Sequence, residues 1–190
     1  MTDLNEPLET AEKPVSPKRD KARGNGGATR KRALSEPKLL EFAELLFFAY
    51  CDFTRDPDAI LADFCFGLAH HRVLHFVNRQ PGLRVADLLD ILKITKQSLA
   101  RVLKQLIDKG FILQRAGNDD RRERRLFVTA KGARLADKLT ALQIKRIEAA
   151  LAKAGPGARE LTHRFLFAMI AESDRSRVEA LLKLQPGTPR

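Results

Sequence analysis

From Glu36 onward, apolar side chains recur at helical spacing along most of the chain, with one short interval near its middle that reads as strand. Leu39, Phe42, Leu45, Leu46 and Ala49 fall on one side of a first helix from about Pro37 to Asp52, where proline suits the first turn. Asp56 and Pro57 predict a turn, and a second helix follows from about Ala59 to Asn78, ended by Pro81 and Gly82. A short third helix, Val85 to Leu92, buries Val85, Leu88, Leu89 and Leu92. After a tight turn at Lys93 and Ile94, Thr95 takes the N-cap position of a fourth helix. Its hydroxyl can accept from the free backbone amides there, and Ile94 and Leu99 occupy the two positions of a hydrophobic staple. Leu99, Val102, Leu103, Leu106 and Ile107 then form one apolar stripe, closed by Gly110 at the C′ position.

Phe111 to Leu113 and Leu126 to Val128 read as two short strands around a polar turn from Gly117 to Glu123, a hairpin with a charged tip. After Thr129 and Gly132 a long fifth helix runs to about Ala154, Gly155 to Gly157 break it, and a sixth runs to about Leu184. The expected class is therefore mainly α (α+β), six helices with a two-stranded hairpin between the fourth and fifth. Residues 1–35 are different: Pro7, Pro14, Pro17, Gly24, Gly26 and Gly27 punctuate a stretch without aromatics, which predicts a disordered tail. Four segments follow: the tail (1–35), a first helix and turn (36–60), the helix-turn-helix and hairpin (61–134), and the terminal helices (135–190).

Charge sharpens this picture. The chain holds 35 Lys and Arg against 24 Asp and Glu, a net +11, which makes a polyanionic partner plausible. The excess is focused, since residues 93–134 carry twelve basic side chains against four acidic ones. Opposite its apolar stripe the fourth helix shows Thr95, Lys96, Gln97, Ser98, Arg101, Lys104 and Gln105, side chains able to reach phosphates and base edges from a helix seated in the major groove. Taken alone, this is equally an ordinary solvated face. The hairpin tip that follows reads Asn118, Asp119, Asp120, Arg121, Arg122, Glu123, Arg124, Arg125, and arginines suit a narrow, negative minor groove. Two joined helices followed by a basic hairpin read as a winged helix-turn-helix whose partner is double-stranded DNA. Within the tail, Lys13 to Arg32 holds eight basic residues and the single acid Asp20; the stretch either adds phosphate contacts or is simply solvated.

At these residues the sequence resembles the MarR family of winged-helix regulators, from about Pro37 through the last helix and most sharply from Leu83 to Gly132. The family's tip motif places Asp, any residue and Arg five residues before an aliphatic and Thr. Here it reads Asp120, Arg121, Arg122, then Glu123 to Phe127, then Val128 and Thr129, followed by Ala130, Lys131 and Gly132. The resemblance implies that Arg122 enters the minor groove, that Asp120 braces the wing and that the fourth helix is the recognition helix. Arg84 departs from the pattern, standing where the third helix usually has a hydroxyl cap. The resemblance also implies a homodimer through the first and last two helices, a pseudo-palindromic operator, and a repressor released by a small ligand or a redox signal. The apolar content of Phe165, Leu166, Phe167, Met169, Ile170, Val178, Leu181 and Leu182 supports such a dimer independently.

Candidate sensing residues are few. Tyr50, His70, His71 and His75, with Arg72 among them, lie where the family's cleft often takes small anionic aromatics. His71 and His75 at i, i+4 make only an incomplete metal site, and satisfied or surface histidines are the plainer alternative. Cys51 and Cys65, one on each of the first two helices, are too few for a disulfide framework and are either buried small hydrophobes or redox sensors. The sequence holds no P-loop, nucleophile elbow, HExxH or paired Cys motif, so it predicts no enzyme and no cofactor. Its richest apolar run, Leu39 to Ala49, is broken by Glu41 and Glu44 and falls short of the roughly 20 residues a membrane span needs. No secretory signal is read at the start, so a cytoplasmic location is expected. The rival function is an architectural, weakly specific DNA binder acting through counterion release.

Overall fold

The computed structural model describes residues 37–117 and 123–183, in two units, one up to Ala43 and one from Glu44 onward. Among the described residues there are seven helices: α1 (Pro37–Ala62), α2 (Leu68–Arg79), α3 (Val85–Leu92), α4 (Lys96–Asp108), α5 (Ala130–Ala154), α6 (Ala158–Ala168) and α7 (Glu172–Lys183). Three strands, β1 (Leu83–Arg84), β2 (Ile112–Ala116) and β3 (Arg124–Val128), form one antiparallel sheet in the order β1-β3-β2. None of these helices is long and apolar enough to cross a membrane.

The largest departure from expectation lies at Pro57. The turn expected at Asp56 and Pro57 is absent and α1 continues through the proline to Ala62. A proline removes one donor and crowds the carbonyl four residues back, yet Leu61 just beyond it is wholly buried. Burying such a side chain contributes about 1.5–3 kcal/mol, comparable to the penalty of one interior proline. The chain breaks instead at 63–67. There the Phe64 and Phe66 amides both bond to the Leu61 carbonyl, and both rings meet Phe111 edge-on at 5.2 Å. Cys65 at this corner has a φ of 55° and is exposed, so it lies between α1 and α2 and not on the second helix. Helix α2 accordingly starts at Leu68, well after Ala59.

The expected sixth helix is two, separated at 169–171, where Arg175 donates to the carbonyls of Ala168 and Ile170 at 3.0 Å each. Its expected end at Leu184 lies outside the described residues. The hairpin is a three-stranded sheet because Leu83 and Arg84 pair with Leu126 and Arg125. Its paired strands are also longer than expected, with Ile112 opposite Val128 and Ala116 opposite Arg124.

The core joins Val73, Leu74 and Val77 of α2 to Leu88 of α3, Leu99, Leu103 and Leu106 of α4, Leu126 of β3 and Leu139 of α5. Apolar side chains also stay outside it. Leu45, Phe47 and Phe48 on α1 are 56–64% exposed, and Leu161, Phe165 and Met169 on α6 and just after it are 47–59% exposed.

Candidate nucleic-acid interface

Helix α4 is oriented by its two ends. At the start, the Thr95 hydroxyl accepts from the Ser98 amide at 3.1 Å and donates to Ser98 Oγ at 2.9 Å, so it serves as the expected cap. Lys93, with a left-handed φ of 54°, keeps the turn from α3 short. At the other end Gly110 (φ 72°) is the C′ residue. Its amide donates to Ile107 and that of Phe111 to Leu106, which brings two terminal carbonyls their donors. Between these ends Leu99, Val102, Leu103 and Leu106 are buried, while Lys96, Gln97, Ser98, Arg101 and Lys104 are exposed.

The exposed residues differ in how committed they are. Lys104 pairs with Asp108 at 2.5 Å on its own helix. Arg101 and Gln97 have no hydrogen-bond or ion-pair partner among the described residues. Lys96, Lys104 and Arg124 line one groove of about 610 Å³ between α3, α4 and the hairpin, floored by Val85, Leu89, Leu103 and Ile107. Arg124 is exposed on β3 at the hairpin's outer end, where the Gly117 amide bonds to the Glu123 carbonyl at 2.9 Å. Asp120, Arg121 and Arg122 lie outside the described residues. Arg84, at the cap position of α3, makes no side-chain cap and instead holds Asp87 through two bonds of 2.8 and 2.6 Å.

Part of the positive charge of residues 93–134 is structural. Lys109 donates to the Phe64 carbonyl and sits over the Phe66 ring. Lys131 donates to the Lys109 carbonyl and lies 4.2 Å from the Phe111 ring centre. Lys93 pairs with Asp174 at 3.1 Å and Arg125 with Glu123 at 2.8 Å. A count of charges cannot distinguish these from the outward-facing Lys96, Arg101 and Arg124.

His70, expected beside the other histidines, faces elsewhere. Its Nδ1 accepts from the Gly67 amide at 3.1 Å, which leaves Nε2 as the protonated nitrogen of the neutral ring, donating to Gln105 Oε1 at 2.5 Å. The ring stacks on Phe66 at 4.5 Å. It therefore caps α2 and ties it to α4, and Gln105 is engaged by that tie. Tyr50, His71 and His75 do come together, lining a cavity of about 330 Å³ with Arg72 and with Gln143 of α5. Gln143 had no signal in the sequence, being remote from α2 along the chain. Among the described residues no cluster of three or more His, Cys, Asp or Glu could hold a metal. Cys51 lies half-buried on α1 and both thiols are free.

His71 and His75 are held below the ordinary histidine pKa. For His71 the causes are burial and then the charge of His75, opposed by Asp58; for His75 they are burial and then Arg79. Such groups take up protons more readily in the unfolded chain. Their contribution is thus complete above the unfolded value of about 6.5 and is lost as pH falls below it. The melting temperature should drop as pH falls below about 6.5, and a His71→Gln, His75→Gln double variant should flatten that slope. An equal slope in the variant would assign the drop to other groups.

A model described as MarR family matches residues 66–123, which span α2, β1, α3, α4 and the first hairpin strand, β2, and end just before β3. The HTH-type transcriptional regulator PetP of Rhodobacter capsulatus is 45% identical over 148 residues, covering 78% of this chain and 89% of its own. Among solved structures, MarR superposes with a TM-score of 0.59 at 20% identity, over 76% of this chain and 97% of its own. S. aureus MepR in complex with DNA gives 0.58 at 18% identity, over 67% and 95%. These likenesses establish a shared winged-helix fold.

Proposed function

The chain belongs to the MarR family, and from that premise we propose that it is a homodimeric, sequence-specific DNA-binding transcription regulator of the cytoplasm, a repressor released by a small ligand or a redox signal. The observation that carries the DNA reading is α4: capped at Thr95, buried on one face and presenting Gln97, Ser98 and the unpartnered Arg101 on the other. Thr95 contributes its cap, Lys96, Lys104 and Arg124 supply phosphate contacts from one groove, and Asp120, Arg121 and Arg122 act at the wing tip as the family motif implies.

The exposed apolar faces of α1 and α6 support the dimer, because a monomer would leave Phe47, Phe48, Phe165 and Met169 in water. A symmetric dimer places two copies of α4 on half-sites roughly 34–36 Å apart. The cavity at Tyr50, His71 and His75 supports a small anionic aromatic effector, with Arg72 beside it as the countercharge; redox release would work through Cys51 or Cys65.

The test measures affinity for the protein's own promoter region and for random DNA at one salt concentration, alongside mass in solution. A regulator of this kind shows a ratio of about a thousand or more and a dimer at micromolar concentration. A ratio near one would favour the architectural alternative, and a monomer would remove the palindromic operator.

A further inference from the structure

One buried polar group lies apart from both α4 and the histidine cavity. Gln80 closes α2 and is 3% exposed. Its backbone is satisfied, the amide donating to Phe76 at 3.0 Å and the carbonyl accepting from Leu83 at 3.1 Å. Neither the oxygen nor the nitrogen of its side chain has a hydrogen-bond partner. A buried amide left so is unfavourable unless something outside the chain answers it. Two adjoining cavities, of about 170 and 290 Å³, open between α2, α3 and α7, and both are walled by Gln80, Ile91, Arg177 and Leu181.

Most of the charges around these cavities are already engaged, the exception being the exposed carboxylate of Asp90, which lines the smaller one. Arg177 donates to the Asp174 carboxylate and to the Asp90 carbonyl, each at 2.7 Å. Arg84 holds the Asp87 carboxylate, and Arg79 donates to the carbonyls of Leu181 and Leu182 at 3.2 and 3.4 Å. Burial keeps His75, on the wall of the larger cavity, uncharged near neutral pH. Away from that carboxylate, what remains to bind with is an uncharged carboxamide between apolar walls. An anionic ligand would give up its hydration where the cationic groups are taken. A carboxamide presents an acceptor beside donors, the pairing by which Asn or Gln reads a matching edge on a base.

We propose that this seam is a binding site for a small, neutral, planar heterocycle carrying a lactam or carboxamide, whose donor and acceptor pair with the side-chain amide of Gln80 while Ile91 and Leu181 cover its faces. The site joins α3 to α7, which Lys93 and Asp174 already hold together at 3.1 Å. A molecule seated there tightens the attachment of the terminal helix to the helix-turn-helix.

The test uses the full chain with nicotinamide and 2-pyridone as neutral probes and nicotinate as the charged counterpart, followed by thermal shift and ligand-observed NMR. The readout does not pass through DNA. At least one neutral probe should raise the melting temperature saturably and nicotinate should not. Gln80→Leu should abolish the shift while itself melting several degrees above the parent, since it removes the unanswered amide. Should Gln80→Leu not fold, Ala180→Phe, at an exposed position of α7 lining the smaller cavity, should abolish the shift instead. The absence of a saturable shift with either neutral probe at millimolar concentration overturns the site, leaving water as the partner of Gln80. A shift that survives substitution at both positions overturns it equally.

Discussion

Replacing Gly132 with alanine lowers the melting temperature by about 6–12 °C, corresponding to about 3 kcal/mol at roughly 2–4 °C per kcal/mol for a chain of this size. The first turn of α5 lies directly on the start of the strand that follows α4. The Thr129 amide donates to the Phe111 carbonyl at 3.0 Å, and the Thr129 hydroxyl donates to Gly110 at 2.8 Å and accepts from the Gly132 amide at 3.0 Å. A Cβ on residue 132 would meet the Phe111 carbonyl oxygen at 2.0 Å and its carbon at 3.0 Å. Both partners are backbone, so no side chain can rotate away. Alanine's higher helix propensity offsets at most about 1 kcal/mol, and the clash prevails. Calorimetry of the two proteins checks this; a variant melting at or above the parent would mean that α5 shifts freely off Phe111.

Arg101→Ala, by contrast, should leave the melting temperature almost unchanged, since the side chain is exposed and unpartnered among the described residues. If α4 reads the major groove, operator affinity falls about ten- to a hundredfold while affinity for random DNA changes little. Lys104→Ala provides the contrast. Removing a phosphate-binding ammonium there weakens both DNAs alike and reduces the salt slope by about one. Parallel titrations at several salt concentrations separate the two patterns. Equal losses on operator and random DNA for Arg101→Ala would place that arginine on the backbone and move base reading to Gln97 and Ser98.

The parts that could be read in advance share one property: their causes are short-range. The cap at Thr95, the stripe from Leu99 to Ile107 and the glycine stop at Gly110 each depend on residues within a turn or two, and α4 begins and ends as those signals specify. Pro57 shows the limit of the same reasoning. Its helix-breaking signal is local, but the burial of Leu61 and the turning of Phe64 and Phe66 onto Phe111 come from packing against segments far along the chain. Strand β1 is only two residues long and exists because Leu126 and Arg125 supply its partners.

Neighbouring histidines make the distinction clearest. Periodicity puts His70 and His71 on one helix about 100° apart, and nothing in the sequence says which way each ring faces. Packing directs His70 to Gln105 and Phe66, and His71 to the cavity with Tyr50. Gln80 carries the point further, since a polar residue at a helix end is ordinarily left to solvent, and here α7 and α3 enclose it. Local spacing and capping were enough to establish a capped, basic helix before a hairpin, because each requires only near neighbours. Which charges face outward, which polar groups are enclosed and which cavities result depended on segments many tens of residues apart meeting in space.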